Sequence, residues 1–236
     1  MEYIVSLIIC IIIIFVLKLA LNVKMKDTKK IKDIGYCKEL NDITNQFPDN
    51  TTICKSILKQ LQNEEVKVKA SDDKQNKLTY YMVATNSIII ANINDTFTRI
   101  QTIAHECIHS IQNKKMLLFN FIFSNIYIIY FIVISVLTIL KVIKHQSLQL
   151  FILAMLSFIY YIVRSYLETD AMTKAPYVAK QYMEESQIVD DKQIEKVMEN
   201  YEELNKLGIP MTNFQLAVSV IIKIMIYCII CIIMNM

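Results

Sequence analysis

His105-Glu106-Cys107-Ile108-His109 places two of the chain's three histidines in the spacing HExxH. On an α-helix, residues four apart stand one turn above another, so both imidazoles can meet one metal ion. Glu106, one step round the helix, can reach a water on that ion. Zinc takes neutral nitrogen donors, and a catalytic zinc site keeps one position open for a water whose proton a carboxylate accepts. These residue types point to metal-assisted hydrolysis, with His105 and His109 as ligands and Glu106 as general base. Chance alone produces the pattern in roughly two of a thousand such chains; two histidines on a solvated helix face are the competing reading. Cys107 lies about 200° round the helix from His105, which assigns it to the core side.

A third ligand is required, and the elements that carry it follow from composition. Of 236 residues, 54% are hydrophobic, with only two Gly, three Pro and no Trp, which marks a mainly α-helical membrane protein. A helix needs about 20 apolar residues to span the hydrocarbon layer. Four segments qualify: Ile4 to Val23, Met116 to Leu140, Leu148 to Val163 and Phe214 to Met234. The third is short, and its helix is expected to gain length from flanking turns and to run past Arg164. The first lacks a basic leading region and a small-residue cleavage site, so it reads as a retained anchor.

Lys24, Lys26, Lys29, Lys30 and Lys32 follow the first span, Lys114 and Lys115 precede the second, and Arg164 and Lys174 follow the third. By the excess of basic residues on the cytoplasmic side, segments 24–115 and 164–213 face the cytoplasm. Lys141 and Lys144, in the short loop on the other side, argue weakly against this. His145 shares that loop, a bilayer away from His105, which excludes it as a ligand. Glu168 emerges from the third span about as far out as His109 precedes the second, so a hairpin of two crossings would bring it to the metal. A solvated helix-end carboxylate is the alternative for Glu168, and Asp170 is the nearest competitor or an outer partner of a ligand imidazole.

The net charge of +3 is spread over lysines interleaved with acids, which excludes a nucleic-acid-binding face. Six cysteines with neither zinc-ribbon spacing nor a dense disulfide framework fit a reducing compartment, and Cys228 and Cys231, although spaced CxxC, read as apolar filler of the last span. Within segment 24–115, Asp49 to Leu61 predicts a capped amphipathic helix. Leu78 to Asn92 predicts two strands around a turn near Thr85-Asn86-Ser87, and Asp95 and Thr96 offer caps for a helix running to about Asn113. Lys192 to Leu207 predicts a further helix, stopped by Gly208-Ile209-Pro210. Lys223, deep in the fourth span, matches Asn125 of the second in depth, which suggests a polar contact.

The order of these parts resembles the YugP-type neutral zinc metallopeptidases of bacterial membranes. The resemblance is carried by TIAHECIHSIQ, Thr102 to Gln112, and by ETDA, Glu168 to Ala171. Where the family commonly has HEVGHAIQ, Cys107, Ile108 and Ser110 replace Val, Gly and Ala, and Ile108 implies different packing around the helix. The resemblance implies a small α+β zincin-like cytosolic catalytic region, one Zn2+ per chain held by His105, His109 and Glu168, and Glu106 as base. The HtpX-type and CAAX-type proteases share HExxH with a later Glu, but their pattern needs Asp where Met172 stands. The implied activity is a zinc endopeptidase of a bacterial cell membrane acting on a peptide or protein substrate near the bilayer. A catalytically silent membrane scaffold or metal-responsive binding protein that keeps a structural zinc site is the second reading. The strand around Ile88 to Ala91 is a candidate for pairing with an extended substrate, provided it is a sheet edge. Tyr166 and Tyr177 read as packing residues.

Overall fold

Backbone groups that leave water must bond to one another, and a long apolar run meets that demand as a helix. The computed structural model describes residues 1–71 and 78–235. In chain order its elements are α1 (Glu2–Ala20), α2 (Met25–Gly35), α3 (Lys38–Thr44), α4 (Asn50–Gln60), β1 (Lys67–Ala70), β2 (Tyr80–Met82), β3 (Ser87–Ile90), α5 (Arg99–Ile111), α6 (Lys114–Ile139), α7 (Gln146–Ser186) and α8 (Asp191–Met234). Among the described residues the protein is thus mainly helical with one small sheet, and helices α1, α6, α7 and α8 are the four long and apolar enough to cross a membrane.

The chain divides into two units. The apolar unit comprises residues 1–24, 119–166 and 210–236. Its interior holds Cys10, Tyr127, Leu153, Tyr227 and Cys231, while Ile8, Ile12, Phe15, Ile129, Phe151 and Ile233 point outward. Aliphatic side chains directed away from the core are what a lipid environment requires. Polar pairs tie the helices inside: Tyr127 Oη lies 2.9 Å from Ser157 Oγ, and Thr138 Oγ1 3.2 Å from Tyr227 Oη. Lys223 does not meet Asn125. Its ammonium donates to the Ser219 carbonyl at 3.0 Å and stands 5.7 Å from the centre of the Tyr127 ring, whereas Asn125 donates to Phe121 of its own helix. A side chain can satisfy itself on the preceding turn without a neighbour, which a depth argument does not foresee.

The polar unit comprises residues 25–118 and 167–209. One core draws on Ile53 and Ile57 of α4, Ile88 and Ile90 of β3, Ile100, Ile103 and Cys107 of α5, Ala175 and Met183 of α7, and Val197 and Tyr201 of α8. Because they share this core, the two polar segments lie on one side of any membrane the spans cross. Asp49 caps α4 by accepting from the Thr51 and Thr52 amides at 2.9 and 3.0 Å, and burial of Ile53, Cys54, Ile57 and Leu58 holds its apolar face. The sheet runs β1-β3-β2, with β1 parallel and β2 antiparallel to β3. The hairpin of β2 and β3 agrees with the sequence reading, but β3 is the central strand. Ile88 to Ala91 therefore offers no edge; among the described residues β1 and β2 are the outer strands.

Three expected boundaries differ. The helix carrying HExxH begins at Arg99, and its N-cap position falls on Thr98 rather than on Asp95 or Thr96. The Thr96 hydroxyl is instead spent on the Gly35 carbonyl at 2.8 Å and on the turn before the helix. α5 stops at Ile111 because Gln112 turns extended, with ψ 165°. Asn113 then starts α6, accepting from the Lys115 and Met116 amides at 3.0 and 3.2 Å. Gly208-Ile209-Pro210 does not stop a helix either: α8 is continuous through it. An interior proline costs about 3 kcal/mol, and burial of Val197 and Tyr201 before it and of Val220 and Tyr227 after it outweighs that loss.

Candidate metal centre

Packing of α5 against the sheet buries Ile100, Ile103, Ala104 and Cys107 and turns His105 and His109 toward α7. Helical spacing stacks them: the two Nε2 atoms lie 3.1 Å apart, and the rings meet edge to face. Glu168 reaches both, with Oε2 3.4 Å from His105 Nε2 and Oε1 3.6 Å from His109 Nε2. Three donors about 2.0–2.1 Å from a tetrahedral ion stand about 3.4 Å apart, so the set fits a metal ion of zinc's size. The side chains of His105, His109 and Glu168 are 18%, 9% and 13% exposed, which leaves a route from solvent. Two imidazoles and one carboxylate are the donors zinc takes when it keeps an open position.

The Glu106 carboxylate completes the cluster, its Oε1 4.0 Å from His105 Nε2. The Tyr81 amide on β2 donates to its other oxygen at 2.7 Å. Burial raises the Glu106 pKa, and the neighbouring imidazoles and the Tyr81 amide only partly offset this. Such a shift moves a carboxylate toward the range in which it can accept and return a proton near neutrality. For His109, burial acts to lower the pKa, but the hydrogen bond with Glu168 and the charge of Glu106 outweigh it, and the net direction is upward.

Gln112, one turn past Ile108, joins the two ligand-bearing helices. Its Oε1 lies 2.8 Å from His109 Nδ1, which assigns the proton to Nδ1 and leaves the Nε2 lone pair facing Glu168 and His105. Its Nε2 donates to the Leu167 carbonyl at 2.9 Å and to Asp170 Oδ2 at 2.8 Å. Asp170 is therefore an outer partner acting through Gln112 and is not in the donor set. Hydrogen bonds from Gln112 and Lys174 hold its pKa below the usual range despite partial burial.

A second tie involves Pro176. Proline has no amide hydrogen, so in α7 it frees the Met172 carbonyl four residues earlier. The Asn205 amide donates to that carbonyl at 2.8 Å, and its oxygen accepts from Gln101 Nε2 at 2.8 Å. Gln101 is one turn before His105, and Met172 one turn after Glu168. Cys107 faces the core as expected, its sulfur 3.7 Å from that of Cys54. Tyr166 and Tyr177 are 58% and 71% exposed, so neither packs as expected.

Comparison of the chain with protein-family models, with curated proteins and with solved structures finds no match. What is plain from the chain itself is a His-His-Glu group that could hold a metal ion, in a protein with four membrane-length helices. Sequence reasoning reached all three donors but missed Gln112 and Asn205. For Gln112 the signal was its position one turn beyond a ligand; for Asn205 nothing local distinguishes it.

Proposed function

We propose that the protein is a membrane-anchored zinc endopeptidase of the YugP-like, zincin-like kind, with its metal centre in the cytoplasm of a bacterial cell. The observation that carries this reading is a buried Glu106 carboxylate beside three convergent donors, His105, His109 and Glu168. A purely structural metal site has little use for a base at an open position. A zinc ion held by the three donors would supply Lewis acidity to a bound water and to the scissile carbonyl. Glu106 takes the proton of that water and returns it to the leaving amine nitrogen. The Tyr81 amide orients the carboxylate by holding one oxygen, so the other faces the ligands. Because β2 is the outer strand that reaches Glu106 and β3 is central, an extended peptide would approach from the β2 side rather than along β3.

The deciding experiment uses full-length protein in detergent, wild type and Glu106→Gln, with bound zinc and cleavage of a peptide library measured together. About one zinc in each, with chelator-sensitive cleavage by wild type alone, is the expected result. Zinc in both without cleavage by either supports a silent scaffold, and absence of metal from both removes the site.

A further inference from the structure

At one end of the apolar unit, the start of α1, the α6–α7 loop and the end of α8 line an open-mouthed cavity of about 1000 Å³. That volume is at the upper end of those that hold small molecules. Hydrogen bonds tie the three parts around it: Ser147 Oγ donates to Glu2 Oε1 at 2.5 Å, Tyr3 Oη lies 3.3 Å from Ser147 Oγ, and Asn235 Nδ2 donates to Gln146 Oε1 at 2.6 Å. Its lining has two characters. Lys141 and Lys144 are cationic, whereas Ile4, Ile143, Leu148 and Ile232 are apolar.

Charge is unbalanced in this cavity. Neither lysine has an acid partner among the described residues, and Glu2, the one acid among the described lining residues, accepts from the neutral Ser147 hydroxyl and so offsets only one of the two cations. The cavity lies where four membrane-length helices end or begin, the level at which such helices meet lipid headgroups. A headgroup carrying both phosphate and ammonium brings no net negative charge and would add a further cation beside the two lysines. A headgroup with net negative charge needs only the two lysines, and its acyl chains match the aliphatic part of the lining.

We propose that this cavity binds the headgroup of one anionic phospholipid, with Lys141 and Lys144 as counter-ions to its phosphate. The assignment is independent of the metal centre. The test uses delipidated full-length protein in detergent, titrated with phosphatidylglycerol or phosphatidylcholine of the same acyl chains and read by native mass spectrometry. Wild type should retain one phosphatidylglycerol on the order of tenfold more tightly than phosphatidylcholine. Lys141→Gln/Lys144→Gln should lose that preference. Lys29→Gln/Lys32→Gln, which removes the same charge from the polar unit, should keep it. Equal retention of the two lipids by wild type overturns the proposal whatever the variants do, as does equal loss of preference in both pairs. Displacement of the lipid by glycerol phosphate at matching concentration would show a free-phosphate site and also overturn it. Far-UV helicity checks that the cavity pair folds; should it not, the wild-type preference and its resistance to glycerol phosphate decide.

Discussion

Gln112 does at the candidate metal centre what neither histidine can do alone: it selects which nitrogen of His109 carries the proton. A ligand imidazole whose outer nitrogen is held keeps both its tautomer and its orientation, and loss of such a partner typically weakens metal binding by about 10- to 100-fold. Gln112→Ala should lower zinc affinity by that factor with little change in helicity, as read by competition with a chromogenic chelator. Gln112→Glu, which keeps the acceptor for His109 Nδ1 but loses the donor to Leu167 and Asp170, should recover part of it. Equal affinity in wild type and Gln112→Ala would remove the outer-partner role. At this scale HExxH was legible because its meaning depends only on residues one turn apart. Glu168 was legible only through the hairpin argument. The Tyr81 amide on Glu106 was not legible, since any strand amide offers the same chemistry and only packing selects one.

Helix ends and interruptions decide how the elements hold these groups. Asn205 fills the carbonyl freed by Pro176 and binds Gln101 on the histidine helix. Asn205→Ala leaves the Met172 carbonyl unmet, which should cost about 1 to 2 kcal/mol and appear as a lower Tm by circular dichroism. Asn205→Asp restores the acceptor for Gln101 but not the donor to Met172, so it should not recover the loss. Asp49, bonded to two amides and two hydroxyls at the start of α4, has its pKa held well below the usual carboxylate range. A carboxyl depressed in the folded state stabilises above its unfolded pKa, about 4, and that contribution is lost as pH falls toward the folded value. Asp49→Ala should cost about 1 kcal/mol at neutral pH and flatten the acid limb of a Tm-against-pH curve. The cap of α4 was legible from Asp49 and its following threonines, whereas Thr96 was misread because its hydroxyl had a tertiary use at Gly35. β1 escaped notice, although Val66 and Val68 alternate with lysines there, because four residues carry little periodic signal.

For the whole molecule, one core shared by segments 25–118 and 167–209 constrains the topology more strongly than counting lysines does. The reading with that core in the cytoplasm makes a direct prediction. In a cysteine-free background, Val142→Cys should react with an impermeant thiol reagent added to intact cells, and Lys26→Cys should react only in inverted vesicles. The reverse pattern would place the metal centre outside the cell and overturn the cytoplasmic reading. By itself the sequence determined the four membrane-length apolar helices, the histidine helix, the β2–β3 hairpin and the nearness of Glu168 to the two histidines, because apolar run length, turn periodicity and chain reach are local quantities. Only the tertiary structure decided that β3 is central, that α8 runs through Pro210, that Gln112 reads His109, and that Asn205 completes the helix Pro176 interrupts. Each of those depends on which distant surface wins the packing competition, and no single segment carries that information.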